Sequence, residues 1–300
     1  MTITDLPTAP PACAAISRAL REPLRGTAAT AAGWLLVEHS GPWGDGALDR
    51  ADERWGALVE ERFAEAGARV LLVREPGRAR TGGRRRVHLV HSGRSGPWHE
   101  ELRVDDLSAL LDLDPAVVAS ASAPGLGTPV TRPWFLVCTH GRKDACCAVL
   151  GRPVARALAP TGRVWETTHL GGDRFAAAVV VLPHGYYLGH VDPADAGALA
   201  ADTDRGLLSL RHLRGRCCDP PELQIAEHVV RERHGLRGID DVVPLPCGDP
   251  CGDGVVVDRP GGRDRVRLSP APLPERLTSC SAGERGRPDP RSATVTAVAR

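Results

Sequence analysis

The feature that most constrains this chain is an echo between two apolar runs one hundred residues apart. Gly33-Trp34-Leu35-Leu36-Val37-Glu38 resembles Pro133-Trp134-Phe135-Leu136-Val137-Cys138. Each run is followed by a polar loop with a glycine at the matching place, Gly41 or Gly141, and each then enters a helical pattern. A second apolar strand comes next in both halves, Arg69-Val70-Leu71-Leu72-Val73 and Arg163-Val164-Trp165-Glu166-Thr167. A third follows a Gly-rich connection, Val87-His88-Leu89-Val90 and Ala177-Ala178-Val179-Val180-Val181-Leu182. Both halves then run into a helix, near Val104 to Leu113 in the first. In the second, Asp192-Pro193 supplies a cap and a first-turn proline.

Strand, loop, helix, strand, strand, helix is the order of a thioredoxin-type α/β sandwich. Its β-α-β opening implies a parallel strand pair joined by a right-handed crossover. The expected fold is therefore two tandem thioredoxin-like α/β sandwich domains with a small C-terminal β extension. The domains span 1–119 and 130–240, and the extension spans 241–300. The small, Pro/Gly-rich stretch from Ser120 to Pro129 links them. After Pro220-Pro221 a helix begins. Val255-Val256-Val257 and Arg265-Val266-Arg267-Leu268 read as a hairpin around Pro260-Gly261-Gly262. The last twenty or so residues, rich in Gly, Pro, Arg and Ser, read as disordered. The run Arg84-Arg85-Arg86 reads as a solvated hairpin tip.

The 42% of hydrophobic residues suffices for a buried core, and a net charge of +1 spread along the chain speaks against nucleic-acid binding. Met1 to Ala15 lacks the apolar stretch of a targeting signal, and no run approaches the ~20 apolar residues of a membrane helix. The expected location is the cytoplasm, away from membranes. There, nine cysteines serve as ligands, redox groups or packing residues more readily than as disulfides.

Chemistry concentrates on two loops. Cys138-Thr-His140-Gly141-Arg-Lys-Asp144-Ala-Cys146-Cys147 leaves one strand and enters a helix near Asp144 or Ala145. Cys147, Leu150, Val154 and Leu158 share one helical face. Both Cys146 and Cys147 thus lie in the first turn, whose positive end favours thiolate. His169-Leu170-Gly171-Gly172-Asp173 leaves the next strand, and its glycines permit positive φ and close approach of another group. Two thiols, an imidazole and a carboxylate on two short loops form a candidate metal site of Cys138, Cys147, His169 and Asp173.

Cys138-x8-Cys147 with His140-Gly141 and Asp144 between, followed by His169-x-Gly171-Gly172, resembles the sucrase/ferredoxin-like family. The likeness extends to Leu182-Pro183-His184-Gly185 and Arg214-Gly215-Arg216, over roughly residues 30–240. It implies a thioredoxin-like ferredoxin domain that holds a [2Fe-2S] cluster and transfers single electrons, a redox carrier rather than a catalyst. Family members place a second histidine where this chain has Asp173. The resemblance therefore leaves Cys138, Cys147 and His169 as ligands. Asp173 is the fourth candidate, with Cys146, His140 or the Cys217-Cys218 pair as alternatives to it. By analogy with Rieske centres, Cys138 and Cys147 would share one iron, and His169 and Asp173 the other. Arg174 would bias the potential or dock an acidic redox protein, whose identity the sequence leaves unknown. The first half, with Glu38 at the place of Cys138, would bind no cluster.

Zinc held by the same four residues is the first alternative, since zinc takes S, N and O ligands. A metal-free interaction module is the second. Cys247-Gly-Asp-Pro-Cys251, with Cys280 as a distant third member, has spacing for a zinc clip but lacks a second half. Cys13 carries no signal alone. The chain has no P-loop, no G-x-S-x-G, no G-x-G-x-x-G after a strand and no C-x-x-C of a dithiol oxidoreductase. It also offers no site-like carboxylate pair for glycoside hydrolysis.

Overall fold

The structure, a computed structural model, describes residues 12–44, 48, 52, 54–77, 83–246, 254–281, 283–288 and 290–298. After helix α1 (Cys13–Ala19), the first half forms β1 (Gly33–Glu38), α2 (Gly56–Glu65), β2 (Ala68–Arg74), β3 (Arg85–His91) and β4 (Trp98–Val104). Strand β5 (Thr128–Pro129) leads into the second half. This comprises β6 (Trp134–Cys138), α3 (Ala145–Leu158), β7 (Val164–Thr167), β8 (Val179–Leu182), β9 (Tyr186–Leu188), α4 (Ala196–Asp204) and β10 (Leu213–Arg216). In both halves the first two strands are parallel and the third pairs antiparallel with the first. The echoed runs are thus the same element of the same topology.

The halves do not form separate sheets. β2 and β7 pair antiparallel through Val73 with Thr167 and Arg74 with Glu166, making one ten-stranded mixed sheet in the order β10-β9-β8-β6-β7-β2-β1-β3-β4-β5. That sheet bends back on itself. His88 on β3 and Trp134 on β6 have ring centroids 4.5 Å apart although three strands lie between theirs. The echoed runs are apolar at every position because both of their faces are covered. Trp34 and Leu36 meet Trp134, Leu136 and Trp165 in a core shared by the halves. Leu35 and Val37 pack beneath Val59 and Phe63 of α2, while Phe135 and Val137 pack beneath Val154 and Leu158 of α3.

The connecting stretch is held to β4: the Glu100 carboxylate accepts the amides of Gly125, Leu126 and Gly127, and Thr128–Pro129 pairs with β4. Two expectations for the first half are corrected. The helix expected near Val104 to Leu113 is a pair of short 3₁₀ turns, Leu107–Leu110 and Pro115–Ala119, capped by Asp106 and Asp114. Arg86 is no solvated tip. It lies buried on β3 and pairs with Glu38 at 2.6 Å and Glu75 at 2.8 Å.

Beyond α5 (Pro221–His234), strands β11 (Val243–Pro246), β12 (Gly254–Arg259) and β13 (Gly262–Ser269) contain the expected hairpin. After β14 (Arg276–Leu277) and β15 (Arg285–Gly286), the tail read as disordered ends in β16 (Ser292–Val298), paired along β13. The alternating Ala, Val and Thr of β16 place Ala293 and Val295 against the small core under α5, and this outweighs the loop-like composition around them. Cys247 and Cys251 lie outside the described residues. Among the described residues, no helix is long and apolar enough to cross a membrane.

Candidate metal centre

Cys138 ends β6 and faces the shared core, 1% exposed. Asp144 then caps α3, its Oδ1 accepting the Cys146 amide at 2.8 Å, so Cys146 and Cys147 occupy the first turn as expected. α3 can press on the β6 exit only because residue 151 is glycine: a Cβ there would collide with the Cys138 carbonyl oxygen. Cys147, one residue beyond Cys146, is turned about 100° around the helix toward the shared core and Cys138.

The second loop leaves β7 and arrives at the same place. Gly171 and Gly172 take φ of +93° and +77°, a conformation that costs a side-chain-bearing residue energy. The reversal is held from outside. Arg69 donates to the carbonyls of His169 and Leu170 at 2.8 and 3.0 Å, and Arg214 donates to that of Gly171 at 2.9 Å. Both guanidiniums are steadied in turn, Arg69 by the Tyr187 hydroxyl at 2.9 Å and Arg214 by the Thr27 hydroxyl at 3.0 Å.

The loops bring donor atoms of Cys138, Cys147 and His169 within 4.8 Å of one another. Asp173 joins from the other side, with Oδ1 accepting the Cys147 thiol at 3.3 Å and lying 3.1 Å from His169 Nδ1. That nitrogen is buried and makes no aligned hydrogen bond, an uncommon state for a buried polar atom. The Cys147 thiol draws Cys138 well below the ordinary thiol range. Burial opposes this, and His169 with the amides of His140 and Leu170 supports it. Cys147 is pushed up, first by Cys138 and then by burial. Burial disfavours a charged His169, yet Asp173 and Cys138 outweigh it and lift the imidazole to about 9. Asp173 is held below its ordinary value despite burial, chiefly by His169. A thiolate, a second thiol and an imidazole with an unsatisfied nitrogen form a donor set that suits a thiophilic metal.

The alternatives for the fourth position lie elsewhere. His140 Nε2 donates to the Gly44 carbonyl at 2.9 Å, ordering its loop. Cys217 is buried behind Tyr187 in the shared core, its thiol close to Ser92. Cys146 points away from Cys147, toward Cys13 and Cys280. Cys280, expected as a third member for Cys247 and Cys251, belongs with Cys13 and Cys146. Arg174 is tied to Glu22 at 2.8 Å. Arg69 and Arg214 escaped the sequence reading as positioning residues. The one signal for Arg69 is a cation opening an otherwise apolar strand.

The matching corner of the first half is chemically different. Glu38, at the place of Cys138, is paired with Arg86, whose guanidinium lies 4.4 Å from the Trp165 ring centroid. Its β1–α2 loop instead braces the loop after Cys138: Trp43 Nε1 donates to Thr139 Oγ1 at 3.1 Å, and Thr139 donates to Glu166 at 3.2 Å.

The model of the family described as sucrase/ferredoxin-like matches residues 24–215. No curated protein matches the chain. Among solved structures, a thioredoxin-like [2Fe-2S] ferredoxin from Aquifex aeolicus is 19% identical, over 31% of this chain and 97% of its own, with a TM-score of 0.27. A likeness that slight carries no argument for this chain.

Proposed function

Starting from a chain that belongs to the sucrase/ferredoxin-like family, we propose that Cys138, Cys147 and His169, with Asp173 as the fourth ligand, hold a [2Fe-2S] cluster for one-electron transfer. The supporting observation is the convergence of two buried thiols and an imidazole with an unsatisfied Nδ1, delivered by strand exits far apart in the chain. When bound, the cluster supplies a one-electron couple near the protein surface. Amides of His140 and Leu170 donate to Cys138 and stabilise its negative charge. Arg69 and Arg214 fix the loop that presents His169. The imidazole side chain is 28% exposed, whereas Cys138 and Cys147 are buried. An electron therefore enters or leaves past His169, where a redox partner protein would dock. The Asp173 carboxylate adds negative charge that a second histidine would not. It favours the oxidised state and lowers the potential relative to a two-histidine site.

Zinc is the second reading, favoured by one observation. Three donor atoms within 4.8 Å, with Asp173 Oδ1 within 3.3 Å of two of the residues, are compact enough to surround a single ion. One experiment separates the two. Anaerobically purified protein with a cluster is red-brown, contains iron and acid-labile sulfide in equal amounts, and gives an EPR signal on reduction. Colourless protein with zinc at Cys138 and no iron overturns the cluster.

A further inference from the structure

A second group of potential ligands lies on the opposite side of the α3 N-terminus, and the function proposed above does not use it. Cys13 opens α1, Cys146 stands in the first turn of α3, and Cys280 follows β14. The Cys146 sulfur lies 3.7 Å from that of Cys13 and 3.6 Å from that of Cys280. Asp144 Oδ2 lies 3.7 Å from the Cys13 sulfur, and all four donor atoms are within 4.8 Å of one another. We propose that Cys13, Cys146, Cys280 and Asp144 form a structural zinc site that ties α1 and the C-terminal segment to the start of α3.

The spacing carries the inference. A disulfide needs its sulfurs about 2.05 Å apart, and these are well beyond that. Zinc–thiolate bonds of about 2.3 Å in a tetrahedron place neighbouring sulfurs about 3.8 Å apart, close to the separations here. Three thiols also cannot all be satisfied by disulfides among themselves.

The surroundings are those of a metal site, in which neighbouring donors orient the ligands. The Cys13 amide donates to the Cys280 sulfur at 3.2 Å, and the Ala14 amide donates to Cys146. Asp144 is fixed on both oxygens. Oδ1 accepts the Cys146 amide, and Oδ2 accepts the Cys280 amide at 2.6 Å and the Ser279 hydroxyl at 3.0 Å. The N-terminus of the fourteen-residue α3 points its positive end at the cluster, which favours thiolates and carboxylate together. Ala12, Leu150 and Leu277 wall the cluster with apolar surface.

Three cysteines packed as small hydrophobes would explain the burial alone. That account leaves unexplained the carboxylate held among them by four polar contacts, from Cys13, Cys146, Ser279 and Cys280. Cys146 and Cys147 are adjacent, so an ion on the first would also fix the second. The inference does not depend on the identity of the metal at Cys138.

Metal analysis of the full chain, purified anaerobically, tests this. Wild type should carry one equivalent of zinc beyond whatever the Cys138 site holds. Cys13→Ala with Cys280→Ala should lose that equivalent and leave the metal at Cys138 unchanged. Cys138→Ser with His169→Ala should do the reverse, so failure of one site is not mistaken for failure of the other. If the double alanine variant does not fold, stripped wild type titrated with cobalt(II) should give thiolate-to-cobalt charge-transfer absorption, and the single Cys280→Ser variant should give weaker absorption. Unchanged zinc in Cys13→Ala with Cys280→Ala overturns the site. So does wild-type protein in which all three thiols react freely with an alkylating reagent and no zinc is present beyond the Cys138 site.

Discussion

The C-terminal ends of β1 and β6 are the same place in two copies of one topology, and they carry opposite chemistry. β1 ends in Glu38, neutralised by Arg86 across the sheet. β6 ends in Cys138, facing another cysteine and a histidine. Backbone order and packing are alike on both sides, with inward residues filling one core and outward residues lying beneath a helix. The differences lie in the loops beyond the strands. Asp144 and Gly151 let α3 reach the β6 exit, and two glycines turn His169 back toward it. The fold thus supplies two equivalent corners, and a few loop residues decide which of them gathers a set of candidate metal donors.

The largest expected effect sets the corners apart outright. Cys138→Ser should abolish metal binding at its site, whereas Glu38→Gln should leave metal content at wild-type level; iron, sulfide and zinc analysis of both variants checks this. Equal loss in both would mean that the halves are not chemically distinct. Next, Glu38→Ala leaves Arg86 buried with one partner fewer. With Glu75 still paired to Arg86, it should cost about 2–3 kcal/mol of stability, the range for losing hydrogen bonds to a charged group, read by urea unfolding. Gly151→Ala forces a methyl against the Cys138 carbonyl oxygen and should cost about 1–3 kcal/mol. Its metal loss should outpace that of an equally destabilising change in α2.

A smaller, graded effect belongs to the shared core. Burial drives His88 well below its ordinary value and His99 down to about 3. An unfolded histidine takes a proton near pH 6.5 while these stay neutral in the fold, so stability falls as pH drops below 6.5. The slope is about 1.4 kcal/mol per pH unit for each such group, continuing toward pH 3. Unfolding between pH 7 and 5, above the range where carboxylates titrate, measures it, and His88→Leu with His99→Leu should lessen it, a remainder coming from His184, His190 and His212, which burial also lowers. The mildest change is Asp173→His, which should raise the reduction potential measured by dye-mediated titration. An unchanged value would remove Asp173 from the ligands.

The loops of the candidate site were legible because their information is local. Apolar strand, polar exit, capping aspartate and helical spacing all sit within some twenty residues, and the resulting elements fall where expected. The double-glycine turn was equally plain. The pairing of β2 with β7 was not, since it rests on only two residue pairs between strands ninety-odd positions apart. Arg86 sat in a run of arginines that looks solvated until Glu38 and Glu75 are brought to it. Cys13, Cys146 and Cys280 were unreadable as a set because they are 133 and 134 residues from one another along the chain. The strand Ser292–Val298 does alternate, and attention to that period rather than to the surrounding Gly and Pro would have found it.

The two residue pairs between β2 and β7 have a practical consequence for dissection of the molecule. A fragment beginning near residue 130 would contain every proposed ligand from Cys138 to Asp173, yet it would present β7 as a bare edge. It would also expose the inner faces of Trp134, Leu136 and Trp165 that the first half now covers. Unpaired edges beside apolar surface recruit further strands. Such a fragment should therefore self-associate in proportion to its concentration, because in the whole chain the first half is what covers that edge and that face.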